Sequence, residues 1–178
     1  KYIGTETKYY FEDVGIRNAI VDFRQLVPTH IVENVVYNEL RRNGFSVDVG
    51  QVESFKRDDQ GHLKRRNLEI HFVVNRHDER LYIQSAYALP SQEKMDQEQA
   101  SLLHVKDGFQ KVIVAGDRYI SGYNENGILV ESLYDFLLGK QNLWKQDNND
   151  FIKFKRIVGF TLKKRQVLSA TARCKMTR

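Results

Sequence analysis

The stretch "NLEIHFVV", Asn67–Val74, decides the predicted fold. Apolar and polar residues alternate along it, which predicts a β-strand. The two-residue period of a strand gives an apolar face, which carries Leu68, Ile70, Phe72 and Val74. The opposite, mixed face carries Glu69, His71 and Val73. A carboxylate and an imidazole two residues apart on one face make Glu69 and His71 the first candidates for a metal or catalytic site.

The segments on either side of this strand predict an α/β domain. "THIVENVVYNELRRNG" is typical of an amphipathic helix that begins after Pro28 and ends at Asn43 and Gly44. Two further strands, "FSVDVGQV" and "LYIQSAYAL", flank the first to give a meander, and "SQEKMDQEQASLLHVKDG" then predicts a helix before the buried strand "QKVIVAGD". The predicted core order is αβββαβ with a mixed central sheet. A short helix in "EDVGIRNAIVDF" precedes this core, and "GILVESLYDFLLG" follows it as a strand running into a helix.

Composition limits the class of protein. The chain has 178 residues and 41% hydrophobic content, which is enough for one core and favours a single domain. No apolar run reaches the ~18 residues of a membrane span, and Lys1–Tyr10 carry no signal-peptide pattern. The one cysteine, Cys174, fits a reducing compartment. We therefore expect a cytoplasmic protein with no membrane partner.

Positive charge is concentrated in the C-terminal part of the chain. Residues 141–178 contain ten Lys or Arg and two Asp, whereas the first 140 residues carry more acidic than basic side chains. We predict an α/β domain at 1–140 and a basic extension at 141–178. Basic clusters bind phosphates by releasing counterions, so nucleic acid is a candidate partner. The candidate contact residues are Lys64, Arg65, Arg66, Lys163, Lys164 and Arg165.

The predicted order αβββαβ resembles the core of the restriction-endonuclease-like, or PD-(D/E)XK, nuclease superfamily. In that superfamily a helix glutamate, a strand aspartate and a D/E-x-K strand collect one or two Mg²⁺ ions, because hard cations need several carboxylate oxygens in one place. The corresponding positions in this chain are Glu39, Glu69, His71 and Gln84.

A closer resemblance rests on "KYYFEDVGIRNAI", "HIVENVVYNELRRNGFSVDVG", "LEIHFVV", "YIQSAYAL", "LLHVKDGFQKVIV" and "DFLLG". Together they look like the C-terminal domain of unknown function of bacterial-type single-chain AAA+ ATP-binding proteins. The resemblance covers roughly residues 1–140 and implies that a P-loop ATPase module, with its ATP, precedes this domain as its partner. This chain contains no GxxxxGK[ST] motif, so we expect it to hold no ATP itself, and its start within the pattern "KYIGTETKYYFED" leads us to expect a fragment of a longer protein.

The candidate nuclease positions depart from what Mg²⁺ chemistry needs. His71 stands where the resemblance leads us to expect aspartate, Gln84 offers only a neutral amide oxygen, and the third strand supplies no lysine. We therefore predict a non-catalytic accessory or regulatory domain, a degenerate nuclease fold that binds protein or nucleic acid without a metal or other cofactor. The alternative is a Mg²⁺-dependent DNA nuclease with migrated ligands, in which Glu33 or Glu39 replaces the lost acids.

Overall fold

A computed structural model describes residues 8–24, 26–57, 61–77, 79–117, 121–141 and 143. Its elements, in chain order, are α1 Val14–Ile20, α2 Pro28–Arg42, β1 Ser46–Arg57, β2 Leu63–Arg76, β3 Glu79–Ala86, α3 Gln92–Leu103, β4 Gln110–Ala115, β5 Gly122–Tyr123, β6 Leu129–Ser132 and α4 Leu133–Leu138. The predicted class, α/β with a mixed sheet, is confirmed.

The sheet has six strands in the order β1-β2-β3-β4-β6-β5. β1, β2 and β3 form the predicted antiparallel meander, whereas β4 runs parallel to β3 after the α3 crossover and β6 runs parallel to β4. The two-residue strand β5, which was not predicted, pairs antiparallel with β6 across a turn at Asn124–Gly127. Parallel strands need a long connection, and α3 supplies the one between β3 and β4.

Helix α2 forms where its sequence predicts. Pro28 occupies the first turn, where its missing N–H costs nothing, and the chain leaves the helix through Asn43 and through Gly44 at φ 81°. Val32, Val36 and Leu40 bury the apolar stripe. Two polar residues beside this stripe, Glu33 and Asn34, are buried as well.

The predicted faces of β2 are wrong beyond His71. Asp48 lies opposite Val73 and Gly50 opposite Ile70, so two residues of β2, His71 and Phe72, share one partner position on β1. Such a β-bulge interrupts the alternation of side chains. Phe72 therefore packs against the rings of Tyr10 and Tyr37, on the same side as Glu69 and His71.

Val73 moves to the other side by the same shift. It packs with Ile70 in a cluster that includes Tyr82, Met95 and Leu102, beneath α3. Gly50 makes the bulge possible, because a Cβ at this position would lie 2.7 Å from Val73 Cγ2 and 3.1 Å from Ile70 Cβ.

The described residues belong to one compact unit that ends at Leu143. The predicted basic extension, 141–178, lies outside the described residues apart from Gln141 and Leu143, so it stays a prediction. None of the helices in the described ranges is long and apolar enough to cross a membrane.

Candidate functional site

The segment before α1 is bound along α2 by two asparagines. Asn34 Oδ1 accepts a hydrogen bond from the Phe11 amide at 2.9 Å, and Asn34 Nδ2 donates one to the Phe11 carbonyl at 2.7 Å. Asn38 Nδ2 donates to the carbonyls of Phe11 and Glu12 at 2.9 and 3.0 Å. Since Asn34 and Asn38 are one helical turn apart, they face the same way and fix the position of the residues just before Phe11.

Tyr10 is held by stacking and by a hydrogen bond. Its ring lies nearly parallel to that of Tyr37, with 4.1 Å between the centroids and 13° between the planes. Its hydroxyl donates to Glu33 Oε1 at 2.7 Å. Glu33 and Tyr37 are again one helical turn apart, so a single face of α2 receives the whole segment.

Lys8 brings a positive charge between two carboxylates. Its Nζ lies 2.9 Å from Glu33 Oε1 and also forms an ion pair with Glu69 Oε1. The Glu33 side chain is 11% exposed, against 36% for Glu69. We call Lys8, Tyr10, Glu33 and Glu69 the Lys8 cluster.

The electrostatics of the cluster favour a charged Lys8, a charged Glu33 and a neutral Tyr10. Burial opposes the charge of Lys8, but the hydrogen bonds that it donates to Glu69 and Glu33 raise its pKa above the ordinary value. Burial likewise opposes the charge of Glu33, yet the hydrogen bonds from Tyr10 and Lys8 and the charge of Lys8 hold its pKa below the ordinary value. Burial and the neighbouring Glu33 raise the pKa of Tyr10, so its hydroxyl remains a donor.

His71 lies beside the cluster and is bonded to β3. The Ser85 amide donates to His71 Nδ1 at 3.2 Å, and Ser85 Oγ lies 2.8 Å from the same nitrogen. Because an amide N–H can only donate, Nδ1 is an acceptor and the neutral ring carries its proton on Nε2. Burial lowers the pKa of His71, although Glu33 pulls it upward, which favours this neutral form.

The other two predicted site residues point elsewhere. Gln84 uses Oε1 to accept from the His71 amide at 3.2 Å, but its Nε2 donates to Glu98 of α3 at 3.4 Å, on the other side of the sheet from Ser85. Glu39 lies near the end of α2, where Arg42 and Asn43 bind its carboxylate at 2.6 and 2.8 Å. The structure therefore joins Glu69 and His71 with Glu33, and leaves Glu39 and Gln84 in separate networks.

The chemistry open to this arrangement is limited by Lys8. Within the described residues, no group of three or more His, Cys, Asp or Glu side chains is placed to hold a metal ion. Oε1 of Glu33 and Oε1 of Glu69 are instead bound to the Lys8 ammonium, and the Glu33 oxygen also accepts from the Tyr10 phenol. The site is an ionic network that joins the N-terminal segment, α2 and β2.

Sequence reasoning did not single out Lys8 or Tyr10. Both lie before the first helix, and 61 positions separate Lys8 from Glu69. A signal was present in α2, where Glu33, Asn34 and Asn38 follow the apolar stripe at helical spacing. Polar residues that border a buried stripe need partners, and the segment Lys8–Glu12 supplies them.

Glu131, inside the run "ILVES", is a further ionisable residue that sequence reasoning did not single out. Glu131 on β6 is 0% exposed, and neither carboxylate oxygen has a hydrogen-bond partner in the described part of the chain. Burial raises its pKa to about 7, with a further contribution from Asp135. The backbone amide of Gln141 is close enough to lower this pKa in part, but it is not placed to form a hydrogen bond with the carboxylate.

The predicted nucleic-acid contacts divide into two groups. Lys64, Arg65 and Arg66 are exposed at the start of β2, and Arg65 forms an ion pair with Glu53 of β1. Lys163, Lys164 and Arg165 lie outside the described residues.

Comparison with known proteins finds a relative of this chain. A protein of Haemophilus influenzae (strain ATCC 51907 / DSM 11121 / KW20 / Rd), described as an uncharacterized protein, is 33% identical over 137 residues. The match covers 77% of this chain and 30% of the relative, so the chain spans less than a third of that protein's length. No protein-family model and no solved structure matches the chain.

Proposed function

We propose that this chain is a non-catalytic accessory or regulatory domain of a larger ATP-binding protein of the AAA+ type. In this proposal it retains a nuclease-like α/β scaffold, recognises a partner macromolecule and leaves it uncut. It binds no metal and no nucleotide of its own, and ATP belongs to a preceding module of the parent protein.

The observation that carries this proposal is the position of Lys8. A metal-dependent nuclease needs carboxylate oxygens free to bind Mg²⁺ and to activate water. Here the carboxylates of Glu33 and Glu69 both bind the Lys8 ammonium, and the imidazole of His71 is neutral and accepts from the Ser85 amide. A tethered cation thus competes with any divalent ion for these two carboxylates.

The arrangement of elements supports the proposed ancestry of the scaffold. α2, β1, β2, β3, α3 and β4 follow one another along the chain, and β4 lies parallel to β3 beside the meander. This succession of elements is the ground on which we propose a nuclease-like core.

The length of the relative supports a larger parent protein. Most of the Haemophilus influenzae protein lies outside the match, which leaves room for an ATPase module. A cytoplasmic location belongs to the same proposal, because a chain with one cysteine fits a reducing compartment.

A cleavage assay tests the lack of catalysis. The full chain is incubated with supercoiled plasmid in Mg²⁺ and, separately, in Mn²⁺. We expect the plasmid to remain supercoiled. Nicking that requires the metal and disappears in Glu33→Gln would establish the alternative, a nuclease with migrated ligands.

A further inference from the structure

The first half of the meander extends beyond the rest of the sheet. β2 pairs with β1 down to Leu63, but β3 pairs with β2 only at Phe72–Arg76. A two-stranded ribbon therefore remains, formed by Gln51–Arg57 and Leu63–Leu68. Within the described part of the chain, no third strand pairs with either of its edges. We call this ribbon the β arm.

The register of the β arm separates its charges between two faces. Residues that lie directly opposite in an antiparallel pair share a face, and the pairing is continuous from Gly50 with Ile70 to Arg57 with Leu63. One face consequently carries Ser54, Lys56, Lys64 and Arg66, on the same side of the sheet as Ile70. We call these four residues the basic face.

The basic face contains three cations and no acid. Glu53, the acidic residue within the two strands of the β arm, lies on the opposite face and forms an ion pair with Arg65. Lys56 lies directly across from Lys64, and like charges in that relationship destabilise a strand pair. Lys56, Lys64 and Arg66 are all exposed, so this placement contributes little to the core and favours binding of an anionic partner.

The shape of the β arm fits the same kind of partner. Seven residues of a strand span about 23 Å, and the two strands lie about 4.8 Å apart. The major groove of B-form DNA is about 12 Å wide and admits a two-stranded ribbon, with phosphates along both walls. A ribbon free on both edges can enter such a groove, whereas a strand inside a wider sheet cannot.

We propose that the β arm binds double-stranded DNA by entering the major groove, with Lys56, Lys64 and Arg66 contacting phosphates. This inference deepens the proposed function, since it names the macromolecule that the non-catalytic domain recognises. The contacts are with the DNA backbone, so they supply affinity without base specificity.

A charge-reversal experiment tests the β arm. Binding of the full chain to a short fluorescein-labelled DNA duplex is followed by fluorescence anisotropy over a series of salt concentrations. The variant Lys56→Glu/Arg66→Glu is compared with Arg24→Glu/Lys106→Glu, which changes the net charge equally at exposed positions outside the β arm. The basic residues of 141–178 are present in every protein, so their contribution is common to all of them.

We expect the arm variant to lose affinity by about tenfold or more and its salt slope to fall by about 2, because two phosphate contacts are lost. The control pair should keep the wild-type slope. Equal losses in both variants, with circular dichroism showing both folded, would overturn the proposal. An unchanged arm variant would do the same.

Duplex RNA of the same sequence tests the groove. Its major groove is deep and narrow, so we expect weaker binding than to DNA, and equal affinity would contradict entry into the groove. If the wild-type chain bound no DNA at all, the β arm proposal would fail, its surface would be assigned to a protein partner, and the proposed non-catalytic function would stand. Cleavage of the duplex would instead contradict the proposed function.

Discussion

Lys8 Nζ donates a hydrogen bond to Glu33 Oε1 at 2.9 Å, and this contact joins the N-terminal segment to the buried side of α2. The same oxygen accepts from the Tyr10 hydroxyl at 2.7 Å. Glu33 is therefore a buried acid whose charge depends on two residues that precede the first helix. Because Glu69 binds the same ammonium, the contact extends to β2.

Replacing Lys8 should weaken the fold and open a cation site. In Lys8→Ala the carboxylates of Glu33 and Glu69 lose their shared cation, and we expect a loss of about 1–3 kcal/mol in the free energy of unfolding. Mn²⁺ should then raise the melting temperature of the variant but not that of the wild type. Differential scanning fluorimetry measures both, with the exposed Lys106→Ala as control. Equal stabilisation of wild type and variant by Mn²⁺ would argue against Lys8 as the substitute cation.

Tyr10→Phe separates the hydrogen bond from the stacking. The variant keeps the ring against Tyr37 but removes the donor to Glu33, so we expect a loss of about 1–2 kcal/mol by urea unfolding. Tyr9→Phe is the matched control, because Tyr9 is 80% exposed. If both variants unfolded at the same urea concentration as the wild type, the hydroxyl would have no part in holding Glu33.

Gly50→Ala tests the bulge that turns Phe72 toward the Lys8 cluster. The added Cβ would meet Val73 Cγ2 at 2.7 Å, so β1 or β2 must shift, and we expect a loss of about 1–3 kcal/mol. Gly108→Ala should change stability by less than about 0.5 kcal/mol, since a Cβ there meets no atom within 4 Å. Chemical denaturation of the two variants gives the comparison, and equal values would contradict the tight approach at Gly50.

Glu131 should make stability depend on pH. Its pKa is about 7 in the folded protein against 4.5 for the free group, so between these values the folded state binds more protons than the unfolded state. The contribution of Glu131 to the free energy of unfolding is therefore largest below pH 4.5 and falls as the pH rises to about 7. Above that pH it stays at its lowest value. Glu131→Gln cannot ionise, and we expect it to exceed the wild type by about 2–3 kcal/mol at alkaline pH, because each pH unit by which the pKa is raised corresponds to about 1.4 kcal/mol.

Melting temperatures of Glu131→Gln and the wild type, measured from acid to alkaline pH, check this expectation. The difference between the two proteins should grow across the titration interval. A constant difference would mean that Glu131 has a partner that keeps it charged in the fold.

The helices and strands whose signals lie in neighbouring residues were predictable from the sequence. α2 has a proline at its start, an apolar stripe and a glycine at its end, and each of these signals depends only on neighbouring residues. The meander follows from three short alternating runs separated by turn residues. The order of helices and strands therefore needed no tertiary information.

The candidate site was predictable only in part. Glu69 and His71 were identified from β2, and the structure brings them near Glu33, which appeared only in the alternative function. Lys8 could not be assigned, because its contact with Glu69 spans 61 positions and has no local pattern. The face of Phe72 was missed because the bulge depends on how Gly50 packs against β2, which strand periodicity does not contain.

Titration of the wild-type chain with Mn²⁺, followed by electron paramagnetic resonance, tests the central claim most directly. Because the Lys8 ammonium lies between Glu33 and Glu69 and occupies one oxygen of each, we predict that the signal of free Mn²⁺ is unchanged by the protein and that no stoichiometric site appears. One tightly bound Mn²⁺ per chain, lost in Glu33→Gln, would show that the carboxylates are available to a metal and would contradict the account.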